Sequence, residues 1–177
     1  MNETPSLRAL LAEYDRALMH TDELWLDLDE AEVGWRPVPE SSAIGWHLGH
    51  QAAVAHYMLR NLTAAQQSPD PDLDRLMDSA TPERERGDLP GLDRLRRYRY
   101  AVADAVRVGI GEIDEGRVGA PAQLRHVART MLTAIVNHEY QHSTWIGEVR
   151  RDQLGHALPT APSSDRLTEI DGYIILR

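Results

Sequence analysis

Two histidines in the last third of the chain have the spacing of a metal-binding pair. His138 and His142 are four residues apart, so their side chains lie on one face of a helix. They continue the apolar stripe of Met131 and Ile135, which predicts that both imidazoles point into the core. A buried imidazole needs a hydrogen bond or a metal, and imidazole binds zinc, nickel, iron and copper well. We therefore predict that His138 and His142 supply two adjacent ligands to a divalent metal.

An earlier stretch that is rich in histidine offers a third ligand. His47 and His50 lie three residues apart, at neighbouring positions on a helical surface. His50 is flanked by Gly49 and Ala53, small residues that allow close approach of another helix and an ion. His47 can replace His50 as the ligand or support a ligand through a hydrogen bond, and spacing alone leaves both roles open. His56 lies well round the helix from His50, and we expect it to be exposed.

The late pair also matches a zinc-peptidase pattern. The residues from His138 to His142 read H-E-x-x-H, in which two histidines bind zinc and the glutamate activates water. Glu139 is therefore a candidate general base. Such peptidases usually carry a substrate-binding strand and a third ligand downstream, whereas the chain here offers Glu148 and His156 but little that reads as a sheet. This disfavours a peptidase and leaves Glu139 as a solvated carboxylate or a group beside the ligands.

Four stretches with helical apolar spacing must position these histidines. They run from about 6 to 30, from 41 or 42 to about 66, from between 81 and 92 to about 116, and from about 120 to about 155. The connection between the second and third stretches is polar, acidic and rich in turn residues, with room for a short helix. We predict an all-α fold, a four-helix bundle with a long crossover connection. We expect one domain over residues 1–177, with its core bundle over 5–155 and a short irregular C-terminal tail over 156–177.

The composition excludes several kinds of function. The net charge of −9 disfavours nucleic acid and an anionic membrane surface as partners. The chain has no cysteine, which excludes disulfides, iron–sulfur clusters and a cysteine nucleophile, so any metal must be held by His, Asp or Glu. The charged N-terminus lacks the apolar core of a signal peptide, and no apolar run is long enough to cross a bilayer. We expect a cytoplasmic location.

Three motifs, taken in order, resemble those of the DinB/YfiT-like superfamily. These are the W-R-P of Trp35–Pro37, the S-A-I-G-W-H-L-G-H of Ser42–His50, and the H-x-x-x-H that ends at His142. The resemblance covers most of the chain, from the first helix to about Gly155. It implies a four-helix bundle with a long crossover, a homodimer, and a three-histidine site that holds nickel or zinc, with iron as a further option. The ligands that match the family pattern are His50, His138 and His142.

The resemblance also implies an activity. Family members include transferases that depend on bacillithiol, mycothiol or glutathione, and a thiol-dependent isomerase, and a related domain occurs in iron enzymes of ergothioneine synthesis. We predict a metal-dependent thiol S-transferase that joins a low-molecular-weight thiol to a small electrophile. The neighbouring groups expected to assist are Asn137, Glu139, Gln141 and His47, with Tyr57 as a donor at the mouth. The alternatives are a non-catalytic metal-binding stress protein and a metal-dependent hydrolase.

Overall fold

Four long helices form the body of the protein in the computed structural model, which describes residues 4–63, 67–81 and 88–177. They are α1 (Leu7–Glu23), α3 (Ile44–Thr63), α5 (Leu92–Asp114) and α6 (Pro121–Asp152), with the shorter α2 (Glu30–Gly34) and α4 (Pro71–Leu76) between them. Each of α1 and α3 packs against both α5 and α6. The all-α bundle expected from the apolar periodicity is confirmed.

The crossover from α3 to α5 contains the short helix for which the sequence left room. Asp70 caps α4 by accepting a hydrogen bond from the backbone N–H of Leu73, and Pro71 occupies the first turn, where its missing N–H costs nothing. Leu73 and Met77 are fully buried, so the crossover is packed into the core. The predicted end of the second helix, near residue 66, lies outside the described residues.

The first helix ends earlier than the apolar pattern predicts. It stops at Glu23 instead of continuing to about residue 30, and the chain turns through Leu24 and Trp25. Asp29 and Glu32 then form a reciprocal capping box that starts α2. The prediction was wrong because Leu24, Trp25 and Leu28 remain buried in the turn, in a second apolar cluster, so the apolar spacing continues where the helix does not.

The C-terminal tail is not irregular throughout. Strands β1 (Leu167–Ile170) and β2 (Tyr173–Leu176) pair as an antiparallel hairpin. The turn residues Asp171 and Gly172 both have positive φ, 51° and 83°, as the tightest two-residue hairpin turns require. The backbone N–H of Leu176 donates to the side-chain oxygen of Asn137 at 2.7 Å, which fastens the hairpin to α6.

Over residues 4–63, 67–81 and 88–177, no helix is both long enough and apolar enough to cross a bilayer.

Candidate metal centre

Three histidines from two helices converge in the core. His50 on α3 meets His138 and His142 on α6, and each offers a ring nitrogen within 4.8 Å of those of the other two. The ring centroids lie 5.1 Å apart for His50 and His138, 5.0 Å for His50 and His142, and 4.4 Å for His138 and His142. The α6 pair meets because the two residues are one helical turn apart, and His50 joins them because α3 packs directly on α6. We call these three residues the histidine triad.

Burial keeps the two α6 histidines of the triad in the form that binds metals. His50 and His142 are only 7% and 4% exposed. Burial lowers the pKa of His138 to about 4, with a further contribution from the nearby His50. Burial also lowers the pKa of His142, and His138, His47 and His50 add to that effect. The two α6 imidazoles are therefore neutral at neutral pH and carry the lone pairs that a metal ion requires.

A backbone carbonyl selects the tautomer of His50. Its Nδ1 lies 2.7 Å from the carbonyl oxygen of Met77, directly after α4. Since a carbonyl can only accept, Nδ1 donates the hydrogen, and in the neutral imidazole Nε2 then carries the lone pair. Orientation of a ligating histidine by a hydrogen bond from its other nitrogen is the usual arrangement in metal sites.

His47 contacts the triad as well. Its Nδ1 lies 2.8 Å from Nδ1 of His142, a hydrogen bond in which one of the two nitrogens carries the proton. The sequence left His47 and His50 as alternatives for one position. The structure brings both to the centre in different places, with His50 in the triad and His47 as a hydrogen-bond partner of His142.

Aromatic side chains surround the triad. Trp46 stacks on His50 with 4.5 Å between ring centroids and 11° between ring planes, and Trp145 meets His142 edge-on at 4.8 Å. Close packing extends to α4, because a Cβ added at Gly49 would lie 2.5 to 2.7 Å from the Met77 side chain. A larger residue at position 49 would therefore force the Met77 side chain to shift, next to the backbone carbonyl that holds His50.

The donor set suits a divalent metal ion. Three imidazoles close together, held from two helices and supported by neighbouring hydrogen bonds, can hold zinc, nickel or a similar ion. A family model for the DinB superfamily matches residues 13–146. The chain belongs to the DinB superfamily. The matched segment includes the whole triad, and searches among curated proteins and solved structures found no significant match.

In this DinB-superfamily protein the glutamate of the H-E-x-x-H stretch is bound to other groups. Glu139 is 3% exposed, and its Oε1 accepts a hydrogen bond from Arg99 at 2.9 Å and one from Thr21 at 2.7 Å. The expectation of a solvated carboxylate was wrong, because sequence spacing does not show that Arg99 of α5 lies opposite. Arg99 and Thr21 both engage Oε1, and the side chain is buried away from solvent, which disfavours the role of general base.

The remaining groups expected beside the metal lie elsewhere. Asn137 binds the backbone of Leu176, and Gln141 is exposed. Tyr57 is exposed, as expected of a residue at a mouth, with 57% of its surface accessible.

His56 is buried, contrary to expectation. It is 1% exposed, and its Nδ1 lies 3.2 Å from Oδ2 of Asp74 on α4. The hydroxyl of Tyr98 donates to the other oxygen of Asp74. The prediction failed because α4 covers this side of α3, and nothing in the local spacing around His56 signals that covering helix.

A pocket of about 600 Å³ opens beside the triad, between α3 and α4. We call it the α3–α4 pocket. His50 lines one part of it, and Ala53, Tyr57 and Met77 contribute apolar and aromatic wall. One ligand of the triad therefore also forms part of a cavity large enough for a small molecule.

Proposed function

We propose that the protein binds a divalent metal, nickel or zinc, through His50, His138 and His142, and uses it to transfer a small thiol to an electrophile. The observation that carries this proposal is the triad itself, three imidazoles with a pocket beside them. Among the described residues no carboxylate joins this group of ligand atoms. A three-histidine set with an open position is typical of catalytic metal sites, whereas structural sites are closed by a fourth protein ligand.

The proposed thiol transfer combines the histidine triad with the absence of cysteine from the chain. When bound, a divalent ion supplies a Lewis acid that lowers the pKa of a thiol toward neutrality. The chain has no cysteine, so the sulfur must come from a low-molecular-weight thiol. The sulfur electron pair forms a bond to the electrophilic carbon, the leaving group departs with its bonding pair, and the thiol proton passes to solvent.

The chain's own residues orient the site. Met77 fixes the ring of His50 through its carbonyl, and His47 fixes that of His142. Trp46 and Trp145 shield the imidazoles from water. Hydrolysis is not favoured because Glu139, the candidate base, is paired with Arg99.

A homodimer remains part of the proposal, on the strength of the family resemblance. Light scattering coupled to size-exclusion chromatography measures the mass of the protein in solution, and a monomeric mass would contradict the proposed homodimer.

Metal loading followed by a conjugation assay tests the proposal. Protein purified without chelator is analysed for metals, reloaded with nickel or zinc, and supplied with bacillithiol, mycothiol or glutathione and monochlorobimane. We expect stoichiometric metal and metal-dependent conjugation with one of the thiols. His50→Ala should lose both, whereas His126→Ala, which changes a histidine outside the triad, should keep both.

Two results would contradict parts of the proposal. Failure of the wild-type protein to bind metal stoichiometrically would overturn the site. Stoichiometric metal without conjugation of any thiol would overturn the transferase and favour a non-catalytic metal-binding protein.

A further inference from the structure

The α3–α4 pocket contains a cation, Arg60, that no described residue neutralises. The guanidinium of Arg60 lies 5.6 Å from the ring centroid of Tyr57, and both residues line the pocket. Within the part of the chain that the structure describes, no carboxylate lies within ion-pair distance of Arg60. A guanidinium on an aromatic face is held in place while its N–H donors stay available to an anion.

The other charged groups of the pocket already have partners. Arg75 pairs with Asp72 at 2.9 Å. Asp74 accepts hydrogen bonds from His56 and Tyr98, and Asp78 accepts one from the backbone N–H of Ala80 at 2.8 Å. Among the described residues that line the pocket, Arg60 is therefore the charged group that remains for a ligand.

The pocket wall is built before any ligand arrives. Asp74 joins α4 to α3 through His56 and to α5 through Tyr98. A bidentate contact between Arg94 and Asp70, with both N···O distances at 2.8 Å, fastens the start of α4 to α5. A preorganised wall lowers the entropic cost of binding, which suits a specific ligand better than an incidental surface groove does.

We propose that the α3–α4 pocket binds a small molecule that carries a carboxylate, with the carboxylate paired to Arg60 and the reacting end beside His50. This inference rests on the proposed function, because it places one reactant at the same centre. Ten residues of helix separate His50 from Arg60, which corresponds to roughly 15 Å along the axis before side-chain reach is subtracted. The ligand must therefore be extended, with its thiol or electrophilic carbon several bonds away from its carboxylate.

A series of simple thiols on the cobalt-loaded full-length protein measures the charge preference without turnover. The long pair is 8-mercaptooctanoate and 8-mercapto-1-octanol, and the short pair is 3-mercaptopropionate and 3-mercapto-1-propanol. Thiolate binding to cobalt is read from the change in its visible absorption. We expect the long acid to bind about fivefold more tightly than the long alcohol, the upper range of an exposed ion pair, and the short pair to show no such preference.

Two variants assign the effect to one side chain. Arg60→Met keeps the aliphatic stem and removes the charge, so it should abolish the preference for the long acid. Arg97→Met changes an exposed arginine on α5 that does not line the pocket, and should leave the preference intact. No preference in the wild type, or one that persists in Arg60→Met, would overturn the inference.

The outcomes separate this inference from the proposed function. If none of the thiols changes the cobalt spectrum, the thiol chemistry fails, and calorimetric titration of the same long acid and alcohol then reads the charge preference alone. An Arg60-dependent preference in that titration supports the pocket without the transferase, and its absence overturns the pocket. Conversely, metal-dependent conjugation without any Arg60-dependent preference supports the transferase and overturns the pocket.

Discussion

Helix α6 contributes to two buried polar clusters at neighbouring positions, and the two clusters differ in how their polar groups are paired. One is the histidine triad together with His47. The other, which we call the ion-pair cluster, joins α1, α3, α5 and α6 around a carboxylate and consists of Thr21, Gln51, Arg99, Glu139 and Ser143. His138 and Glu139 are adjacent in sequence and belong to different clusters, because successive helical residues point in different directions.

The ion-pair cluster satisfies its charges internally. Arg99 donates to the carbonyl of Leu48 and the side-chain oxygen of Gln51, both at 3.0 Å, and to Glu139 at 2.9 Å. The Gln51 amide donates in turn to the backbone carbonyl of Glu139 at 2.9 Å. The triad instead brings three imidazoles together, and among the described residues no carboxylate joins their group of ligand atoms. The difference teaches that one cluster holds the helices together, whereas the other, under the proposed function, is arranged to bind an ion.

Removal of the carboxylate from the ion-pair cluster should have the largest effect on stability. Glu139→Ala leaves Arg99 charged and buried, so we expect the free energy of unfolding to fall by about 3–5 kcal/mol. Urea denaturation of the metal-free protein measures the loss. The matched control is Glu148→Ala, an exposed glutamate on the same helix, which should change stability by less than about 0.5 kcal/mol.

The comparison also predicts what Glu139→Ala should spare. Variant protein that remains folded at low temperature should still bind metal stoichiometrically. A variant as stable as the wild type but unable to bind metal would contradict the assignment, and would place Glu139 at the metal.

Loss of a triad histidine should affect metal binding strongly and stability weakly, the reverse of Glu139→Ala. His142→Ala should weaken metal binding by more than about 100-fold, beyond what loss of a supporting residue costs, and should destabilise the metal-free protein less than Glu139→Ala does. Competition with a chromogenic chelator measures the affinity. His126→Ala is the control and should bind metal like the wild type, while unchanged affinity in His142→Ala would remove His142 from the site.

His47 should have a smaller effect on the metal, because it acts through His142. His47→Leu removes the hydrogen bond and should lower metal affinity about 10- to 100-fold. His47→Gln retains a group that can hydrogen-bond and should recover part of the loss. If both variants lost as much metal affinity as His142→Ala does, His47 would be a metal ligand and would have to be added to the triad.

The smallest effect should come from the exposed ion pair that holds α4, the helix that precedes Met77. The hydrogen bond from Arg94 lowers the pKa of Asp70 in the folded protein below its ordinary value of about 3.9. The ion pair therefore stabilises the fold fully at pH values above that ordinary pKa. This stabilisation is lost as the pH falls through the lower pKa of the folded protein. Asp70→Asn keeps the helix cap and removes the charge. It should cost at most about 1 kcal/mol near neutral pH.

Denaturation at several pH values measures this difference. The gap between wild type and Asp70→Asn should be constant from about pH 5 to 7 and should close below about pH 4. A gap that persists in acid would show that the effect does not come from the charge of Asp70.

Much of the site could be predicted from local spacing, and the rest depends on contacts that spacing does not record. The i,i+4 relation of His138 and His142 and their place on an apolar stripe indicated two members of the triad. The third was ambiguous between His47 and His50 until the family pattern was considered. Arg99 opposite Glu139 and Asp74 opposite His56 are 40 and 18 residues away in sequence. Helix packing alone brings these pairs together, so His56 was expected to be exposed and Glu139 to be either solvated or beside the ligands.

The fold, like the site, was predicted in part from local spacing and in part missed. Periodicity located the long helices, and the Asp29–Glu32 capping box was present in the sequence at the break after α1. The break was missed because buried residues on both sides of it keep the helical spacing. The tail was expected to be irregular because two short strands that pair only with each other have too few residues to produce a clear alternation.

X-ray absorption spectroscopy of the zinc-loaded protein tests the central claim most directly, because it counts imidazole ligands without reference to activity. The account predicts a nitrogen and oxygen shell with the outer-shell scattering of three imidazoles in the wild type. One imidazole should be lost in His50→Ala and none in His126→Ala. A wild-type spectrum without imidazole scattering, or an unchanged spectrum with stoichiometric zinc in His50→Ala, would contradict the assignment of the triad as the metal site.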